Sequence, residues 1–339
     1  MIIVLKPDTS KRDEAAVLRE IKKLGYKPHV MRGVERVVIG AIGDERTHAN
    51  LERLTTWPQV EKVMPVQKRY KLTSREAHKG NSTIKLGNGT VIGGNRLVVM
   101  AGPCSVESEK QLLTTANAVA EAGATVLRGG AFKPRTSPYE FQGLGEKGLK
   151  LLAKARRQTG LAVITELLSE QHAEMVAEYA DVLQIGARNA QNFQLLIAAA
   201  KTGRPVMLKR GLSMKVEEWL LAGEYVLANN NANLMFCERG IRTFETYTRN
   251  TLDLSTIPII KKESHCPIVI DPSQGAGRAD LVMSMCKGAA AMGADALLIE
   301  VHPNPAEAWS DGAQQVSLEL FKQLMSELKP FATAAGRDM

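Results

Sequence analysis

From residue 97 onward the chain repeats one pattern eight times: a short apolar run followed by a longer, mostly helical stretch. The runs are "LVVMAGP", "TVLRGG", "AVITEL", "VLQIGAR", "PVMLKRG", "LMFCERG", "PIVIDPS" and "ALLIEVHP". Amphipathic segments such as "QLLTTANAVAEAG", "GLKLLAKARRQTG", "NFQLLIAAAKTG" and "LVMSMCKGAAAMG" lie between them. Strands that alternate with helices in this way pair in parallel through crossover connections. Eight such units fit a closed (β/α)8 barrel; an open doubly wound sheet is the other arrangement the pattern allows.

The first 70 residues have a different rhythm. "MIIVLKP", "KPHVM", "RVVIGAI" and "VEKVMPV" read as strands. "SKRDEAAVLREIKKLG" carries Ala15, Leu18, Ile21 and Leu24 on one helical face and closes at Gly25. A second helix is expected around "ERTHANLERLTT". The order βαββαβ is the ferredoxin-like one. His29 and His48 have no cysteine nearby and read as structural or surface residues. Residues 71–96 form a linker and hairpin, with Asn88-Gly89 as a two-residue turn, and residues 97–333 the barrel. "GLGEKG" at 143–148 fits GxGxxG, but no strand leads into it, so it reads as a loop entering a helix.

Charge narrows the function classes. The chain of 339 residues has a net charge of +8, but residues 1–70 hold 14 Lys and Arg against 9 Asp and Glu, which accounts for most of the excess. The barrel is nearly balanced and aromatic residues make up only 5%, too few stacking platforms for a nucleic-acid surface. No apolar run approaches the ~20 residues of a membrane span. Four cysteines without CxxC spacing point to a reduced, cytoplasmic setting.

Every run of the barrel ends in polar or small residues: Cys104, Arg128, Glu166, Arg188, Lys209 with Arg210, Glu238 with Arg239, Asp271, and Glu300 with His302. In a (β/α)8 barrel these ends converge on the active-site face. "VLRGGAFKPRTSP" adds Lys133 and Arg135 with no acid to offset them. Cations gathered at one mouth repel unless anions sit among them, and Arg forms forked bonds to phosphate and carboxylate. The pattern describes an enzyme for small phosphorylated anions, with Glu166 and Glu238 to orient cations or move protons. Cys104, Glu300 and Asp311 suit a divalent ion such as Mn²⁺ or Zn²⁺, although spacing alone makes no metal motif.

"AGPCSVES", "LRGGAFKPRTSPYEFQGLGEKGL", "QIGARNAQNF", "CERGIRTFETYTRNTLD", "KKESHCPIVIDPS" and "EVHPNPAEAWSDGAQQ" together resemble 3-deoxy-D-arabino-heptulosonate-7-phosphate (DAHP) synthases of the short type Iβ. The resemblance covers the whole barrel, and the N-terminal module is similar to that of regulated members. It implies condensation of phosphoenolpyruvate with erythrose 4-phosphate and water, giving DAHP and phosphate, the first step of the shikimate pathway. The "KPRTS" stretch differs from the "KANRS" of the sister synthases of KDO 8-phosphate. By resemblance, Arg128, Lys133, Arg188, Lys209 and Arg239 hold phosphoenolpyruvate, Arg135, Thr136 and Ser137 receive the erythrose phosphate, and Pro134 and Ala187 are also substrate-binding. Lys133, Glu166, Asp271 and His302 form the catalytic set, Lys133 as proton donor and Glu166 orienting the attacking water.

The family's metal site is Cys, His, Glu and Asp. Cys104, Glu300 and Asp311 match three of these, but the histidine belongs in "DPSH" and this chain reads "DPSQ", with Gln274. Ligation by the amide oxygen, a water in the histidine's place, and a reaction without metal each fit; the retained cysteine favours a kept but weakened site. The resemblance further implies an aromatic amino acid effector on the N-terminal module and assembly as a homotetramer or homodimer. Val30 and Met31 after His29 lack the hydroxyl of tyrosine-binding relatives. A KDO 8-phosphate synthase-like enzyme is the rival activity. A catalytically dead barrel that binds phosphorylated metabolites, or a partner such as chorismate mutase, is the rival class.

Overall fold

The computed structural model describes residues 1–33, 36–43, 49–64 and 68–339. His48, the first residues of the expected second helix and the last of the expected fourth strand lie outside them. The chain divides into two compact units, Met1–Arg69 and Tyr70–Met339.

The first unit contains β1 (Ile2–Leu5), α1 (Lys11–Lys23), β2 (Lys27–Arg32), β3 (Val37–Ile42), the single turn α2 (Ala49–Glu52) and β4 (Val60–Met64). Its antiparallel sheet runs β2-β3-β1-β4. Ser10 starts α1 by accepting from the Asp13 amide at 3.1 Å, and acidic Asp13 and Glu14 occupy the first turn. Val17 and Ile21 pack with Ile3, Leu5, Ile39, Leu51 and Leu54 in a separate small core.

The second unit opens with a hairpin, β5 (Ile84–Lys85) and β6 (Val91–Ile92), turned at Asn88-Gly89, where Gly89 takes φ +85°. The barrel strands and helices follow in alternation, with two helices before the last strand. They are β7 (Val98–Gly102), α3 (Glu109–Glu121), β8 (Val126–Arg128), α4 (Glu146–Thr159), β9 (Ala162–Glu166), α5 (Ala173–Tyr179), β10 (Val182–Ile185) and α6 (Phe193–Lys201). Then come β11 (Val206–Lys209), α7 (Val216–Leu227), β12 (Leu234–Glu238), α8 (Thr256–Glu263), β13 (Ile268–Ile270), the short α9 (Pro272–Ala276), α10 (Ala279–Ala291), β14 (Ala296–Glu300) and α11 (Leu318–Ala334). All eight strands are parallel and close on themselves through β14 and β7, which decides between the barrel and the open sheet.

Strand residues point alternately inward and outward. Val99, Leu127, Val163, Leu183, Leu208 and Phe236 face the helices in one apolar core. Met100, Val126, Ile164, Val182, Met207, Met235, Cys237, Val269 and Leu298 fill the interior, where Ile84, Leu86 and Ile92 of the hairpin join them. The hairpin therefore seals the N-terminal end of the barrel, leaving the opposite end open. The segment preceding it is fixed by Glu224 of α7, whose carboxylate accepts from the amides of Lys71 (2.9 Å), Leu72 (3.0 Å) and Thr73 (2.7 Å) and from the Thr73 hydroxyl (2.8 Å). Among the described residues no helix is long and apolar enough to cross a membrane. All four cysteines are buried and free.

Candidate active site

The inward parity of each strand carries straight into the open end. Two residues beyond Met100 and Gly102 comes Cys104; Arg128 ends β8, Glu166 ends β9, Gln184 and then Gly186 continue β10, Lys209 ends β11, Arg239 follows Cys237, and Glu300 ends β14. All of them except Cys104 and Glu300, which lie beneath it, line a cavity of about 360 Å³. Arg128, Lys133, Arg135, Arg188, Lys209 and Arg239 line it, as do Pro134, Thr136, Glu166, Ala187, Gln274 and Asp311. The strand ends and the Lys133–Thr136 loop thus bring together most of the residues expected from the sequence.

The loop is held in shape from within. Lys133 donates its backbone amide to the Gln142 carbonyl at 2.9 Å, and Gly145 donates to the Ala131 carbonyl at 2.9 Å just before α4. Gly130 leaves the space through which the Lys133 side chain passes; a Cβ there would lie 2.7 Å from the Lys133 Cδ. The Lys133 ammonium consequently reaches down to the Cys104 carbonyl (3.1 Å) and sulfur (3.0 Å). Burial works against its charge, but Cys104 and Glu300 outweigh burial and raise its pKa above the ordinary lysine value. Arg135, nearer the rim, pairs with Glu140 at 2.6 Å.

Beneath the cavity lies a connected polar floor. Arg128 donates to the Pro103 carbonyl (2.7 Å) and to Glu300 Oε1 (3.0 Å), while its Nε is buried without a protein partner. Glu300 also accepts from the side-chain amides of Gln274 (3.0 Å) and Gln314 (2.7 Å). Arg239 donates to Gln274 Oε1 at 2.7 Å. An arginine only donates and a carboxylate only accepts, so these two partners settle which way the Gln274 amide faces. Lys209 is paired with Asp271 at 2.6 Å. Asp311, in a left-handed conformation (φ 49°), accepts from Arg249 at 3.1 Å and from the Cys104 thiol at 3.2 Å. Burial tends to raise the Asp311 carboxyl, but Arg249 and Lys133 hold it below the usual range. Burial, then Glu300, pushes the Cys104 thiol up to about 12.

Besides Cys104 and Glu300 in the floor, the expected residues Asp271, His302, Ser137 and Glu238 do not line the cavity. Asp271, two residues beyond inward Val269, caps α9, accepting from the Gln274 amide at 2.9 Å with Pro272 in the first helical position, and pairs with Lys209 in the floor beneath the cavity. His302 turns away after β14: it accepts from the Asn304 amide at Nδ1 (3.1 Å) and donates from Nε2 to Glu107 (3.2 Å), lining a different groove with Trp309. Ser137 spends its hydroxyl inside the loop, accepting from the Tyr139 amide at 3.3 Å. Glu238 has the outward parity of its strand; fully buried, it binds Arg210 (3.0 Å) and the Gly240 amide (2.6 Å). Arg210 also grips Asp253 at 2.9 Å, so Glu238 orients this cation and the cluster ties down the loop after β12. That loop adds Arg242, Arg249 and Asn250 to the cavity, β10 adds Gln184, and Gly186 follows just past its end.

This geometry can be compared with known proteins. The sequence pattern of the DAHP synthetase I family matches residues 75–334, and that of the DAHP synthase ferredoxin-like domain matches residues 1–68. The chain belongs to the DAHP synthetase I family. Among relatives of this DAHP synthetase I chain, the phospho-2-dehydro-3-deoxyheptonate aldolase of Thermotoga maritima is 50% identical over 336 residues, covering 99% of both chains. A 2-dehydro-3-deoxyphosphooctonate aldolase of Caulobacter vibrioides is 33% identical over 265 residues, covering 72% of this chain and 89% of its own. The solved Thermotoga maritima DAHP synthase superposes with a TM-score of 0.94 at 49% identity, covering 99% of this chain and 98% of that one. A truncated form of the same organism's 3-deoxy-D-arabino-heptulosonate 7-phosphate synthase matches with a TM-score of 0.74 and 49% identity over 79% of this chain and 98% of its own.

In this DAHP synthetase I member, Cys104, Glu300 and Asp311 are the one group among the described residues that could hold a metal; their donor atoms all lie within 4.8 Å of one another. One sulfur and two carboxylates suit a divalent transition ion. Gln274 does not complete the set as it stands, because its oxygen is taken by Arg239 and its NH₂ faces Glu300.

Proposed function

We propose that the chain condenses phosphoenolpyruvate with erythrose 4-phosphate and water to give DAHP and phosphate. The observation that carries this reading is the cavity: cations at its floor and a second cation-bearing loop at its rim suit two anionic substrates placed end to end. The full-length likeness to a phospho-2-dehydro-3-deoxyheptonate aldolase supports it.

In this reading the phosphate and carboxylate of phosphoenolpyruvate lie among Arg128, Arg188, Lys209 and Arg239. The unpartnered Arg128 Nε is a donor ready for one of them. Arg135 and Thr136 take the phosphate of the second substrate at the rim. The enol C3 attacks the aldehyde carbon, and Lys133 gives a proton to the aldehyde oxygen as charge develops there. Water adds at C2 as Glu166 accepts one of its protons; the C2–O bond to phosphate then breaks and the remaining hydroxyl proton passes to the departing phosphate, leaving a ketone. Cys104, Glu300 and Asp311 would hold a divalent ion, which supplies a Lewis acid for a carbonyl oxygen when bound. Gln274, in place of a fourth ligand, fixes Glu300 and Arg239 instead.

The first unit is read as a regulatory module for an aromatic amino acid, in an assembly of two or four chains. The resemblance of residues 1–68 to the ferredoxin-like domain supports this.

Phosphoenolpyruvate loss measured on chelator-stripped protein, with and without Mn²⁺, tests the activity. Erythrose 4-phosphate is expected to be preferred over arabinose 5-phosphate by about a hundredfold in kcat/KM, and Mn²⁺ to restore activity lost on chelation. Preference for the pentose would make this a KDO 8-phosphate synthase. Equal rates with and without metal would remove the ion from the reaction, and no turnover in any arm would leave a dead barrel. Phenylalanine, tyrosine and tryptophan added to the same assay test the module; no change at saturation would refute its regulatory role.

A further inference from the structure

The structure assigns to Gly186 the positioning of the Glu166 carboxylate, an inference that rests on the reading of Glu166 as the group that takes the proton from water. Gln184 of β10 pairs with Glu166 of β9 across the barrel wall, and Gly186 lies two residues further along the same inward face. Both line the cavity. The backbone at Gly186 (φ −69°, ψ 160°) is one that any residue adopts, so its torsions give no reason for a glycine.

Space gives the reason. A Cβ on residue 186 would lie 1.9 Å from Glu166 Oε1 and 3.0 Å from its Cδ. The other carboxylate oxygen accepts from the Gln184 side-chain amide at 3.3 Å. One oxygen is thus tethered, and the other rests on the bare backbone of Gly186. The carboxylate sits in a slot whose floor is a missing side chain. Its charge acts there on Arg128 and Lys133 across the cavity.

A methyl group at 186 would meet the far end of a flexible side chain rather than backbone. The fold escapes the clash by turning Glu166 aside, at little cost in stability. The carboxylate then moves by roughly 1 Å, and a displacement of that size at a reacting group lowers rate by up to about a hundredfold. Gly186→Ala is therefore expected to leave the melting temperature and the KM for phosphoenolpyruvate nearly unchanged while kcat falls about 10- to 100-fold.

Aspartate at 166 is one methylene shorter and does not reach the added methyl. In a Glu166→Asp background, itself slowed, Gly186→Ala is expected to change kcat by less than about twofold, so the two substitutions are strongly non-additive. The experiment compares wild type, G186A, E166D, G186A/E166D and E166Q by steady-state kinetics and thermal unfolding. E166Q keeps the side chain's shape and removes its basicity; if it turns over within tenfold of wild type, the reading of Glu166 fails, whatever Gly186 does. If E166Q collapses while G186A is fully active, the slot is overturned. A loss from G186A of equal size in both backgrounds, or one accompanied by a clear drop in melting temperature, would also overturn it, since it would mark a general packing role.

Discussion

Replacing Lys133 by methionine is expected to lower turnover at least a thousandfold while the protein still folds. Methionine has nearly the same length and reach, so the passage past Gly130 stays filled. What disappears is the ammonium, with its bonds to the Cys104 carbonyl and sulfur, at a cost of about 1–3 kcal/mol. A globular protein with the usual 5–15 kcal/mol withstands that. The chemistry does not: proton donation by a placed acid is worth about 10²–10⁴ in rate, and a fixed positive charge at the developing oxyanion adds to it. The raised pKa of Lys133 means the donor is already protonated at neutral pH. Phosphoenolpyruvate consumption by Lys133→Met, set beside its circular dichroism, decides the matter. A variant that folds and turns over within tenfold of wild type would take the proton-donor role away from Lys133.

The second large effect is on stability and binding together. Arg128→Ala leaves Glu300 fully buried, with two amide donors but no cation directly beside it. Breaking a buried ion pair from one side costs about 3–5 kcal/mol, because the remaining charge stays uncompensated. For a unit of this size that corresponds to a fall in melting temperature of roughly 6–20 °C on chelator-treated protein. Affinity for phosphoenolpyruvate is expected to fall as well, by about a hundredfold, since a charged, desolvated donor is lost. Arg128→Lys restores charge without the fork, so it should recover much of the stability and less of the affinity. Unchanged melting of Arg128→Ala would mean that the pair with Glu300 contributes nothing, and unchanged binding would remove Arg128 from the substrate site.

The barrel is legible in the sequence because its eight apolar runs and their helices keep one spacing throughout. The site is legible only in part, and strand parity separates the residues that line the cavity from their neighbours. Arg239 lies two residues beyond inward Cys237 and reaches the cavity, whereas Glu238, one residue nearer, has the outward parity and became a structural anchor. Gln184, a polar residue in the apolar run "VLQIG", and Gly186 share the inward parity and could have been found by counting in twos. Asp271 carries two signals at once: inward parity after Val269, and a place directly before Pro272 that makes it a helix cap. His302 has the parity of Glu300, but its ring is drawn aside by Glu107 and the Asn304 amide, contacts that no sequence spacing shows. Arg242 and Arg249 sit in a long loop without period, and their place in the cavity depends on the buried grip of Arg210 on Glu238 and Asp253.

The sealed end of the barrel has a consequence for traffic. With Ile84, Leu86 and Ile92 closing the bottom, everything that enters must leave by the same door. Arg128 and Lys209 are almost fully buried at the inner end, whereas Thr136 is exposed at the threshold. If the substrates sit as proposed, the molecule held by the inner cations has to arrive before its partner stands in the doorway. The seven-carbon product must likewise withdraw its outer end first. Queueing of this kind makes the order of addition compulsory, and inhibition by each product should show it: a random pattern would mean the doorway opens wider than this structure does.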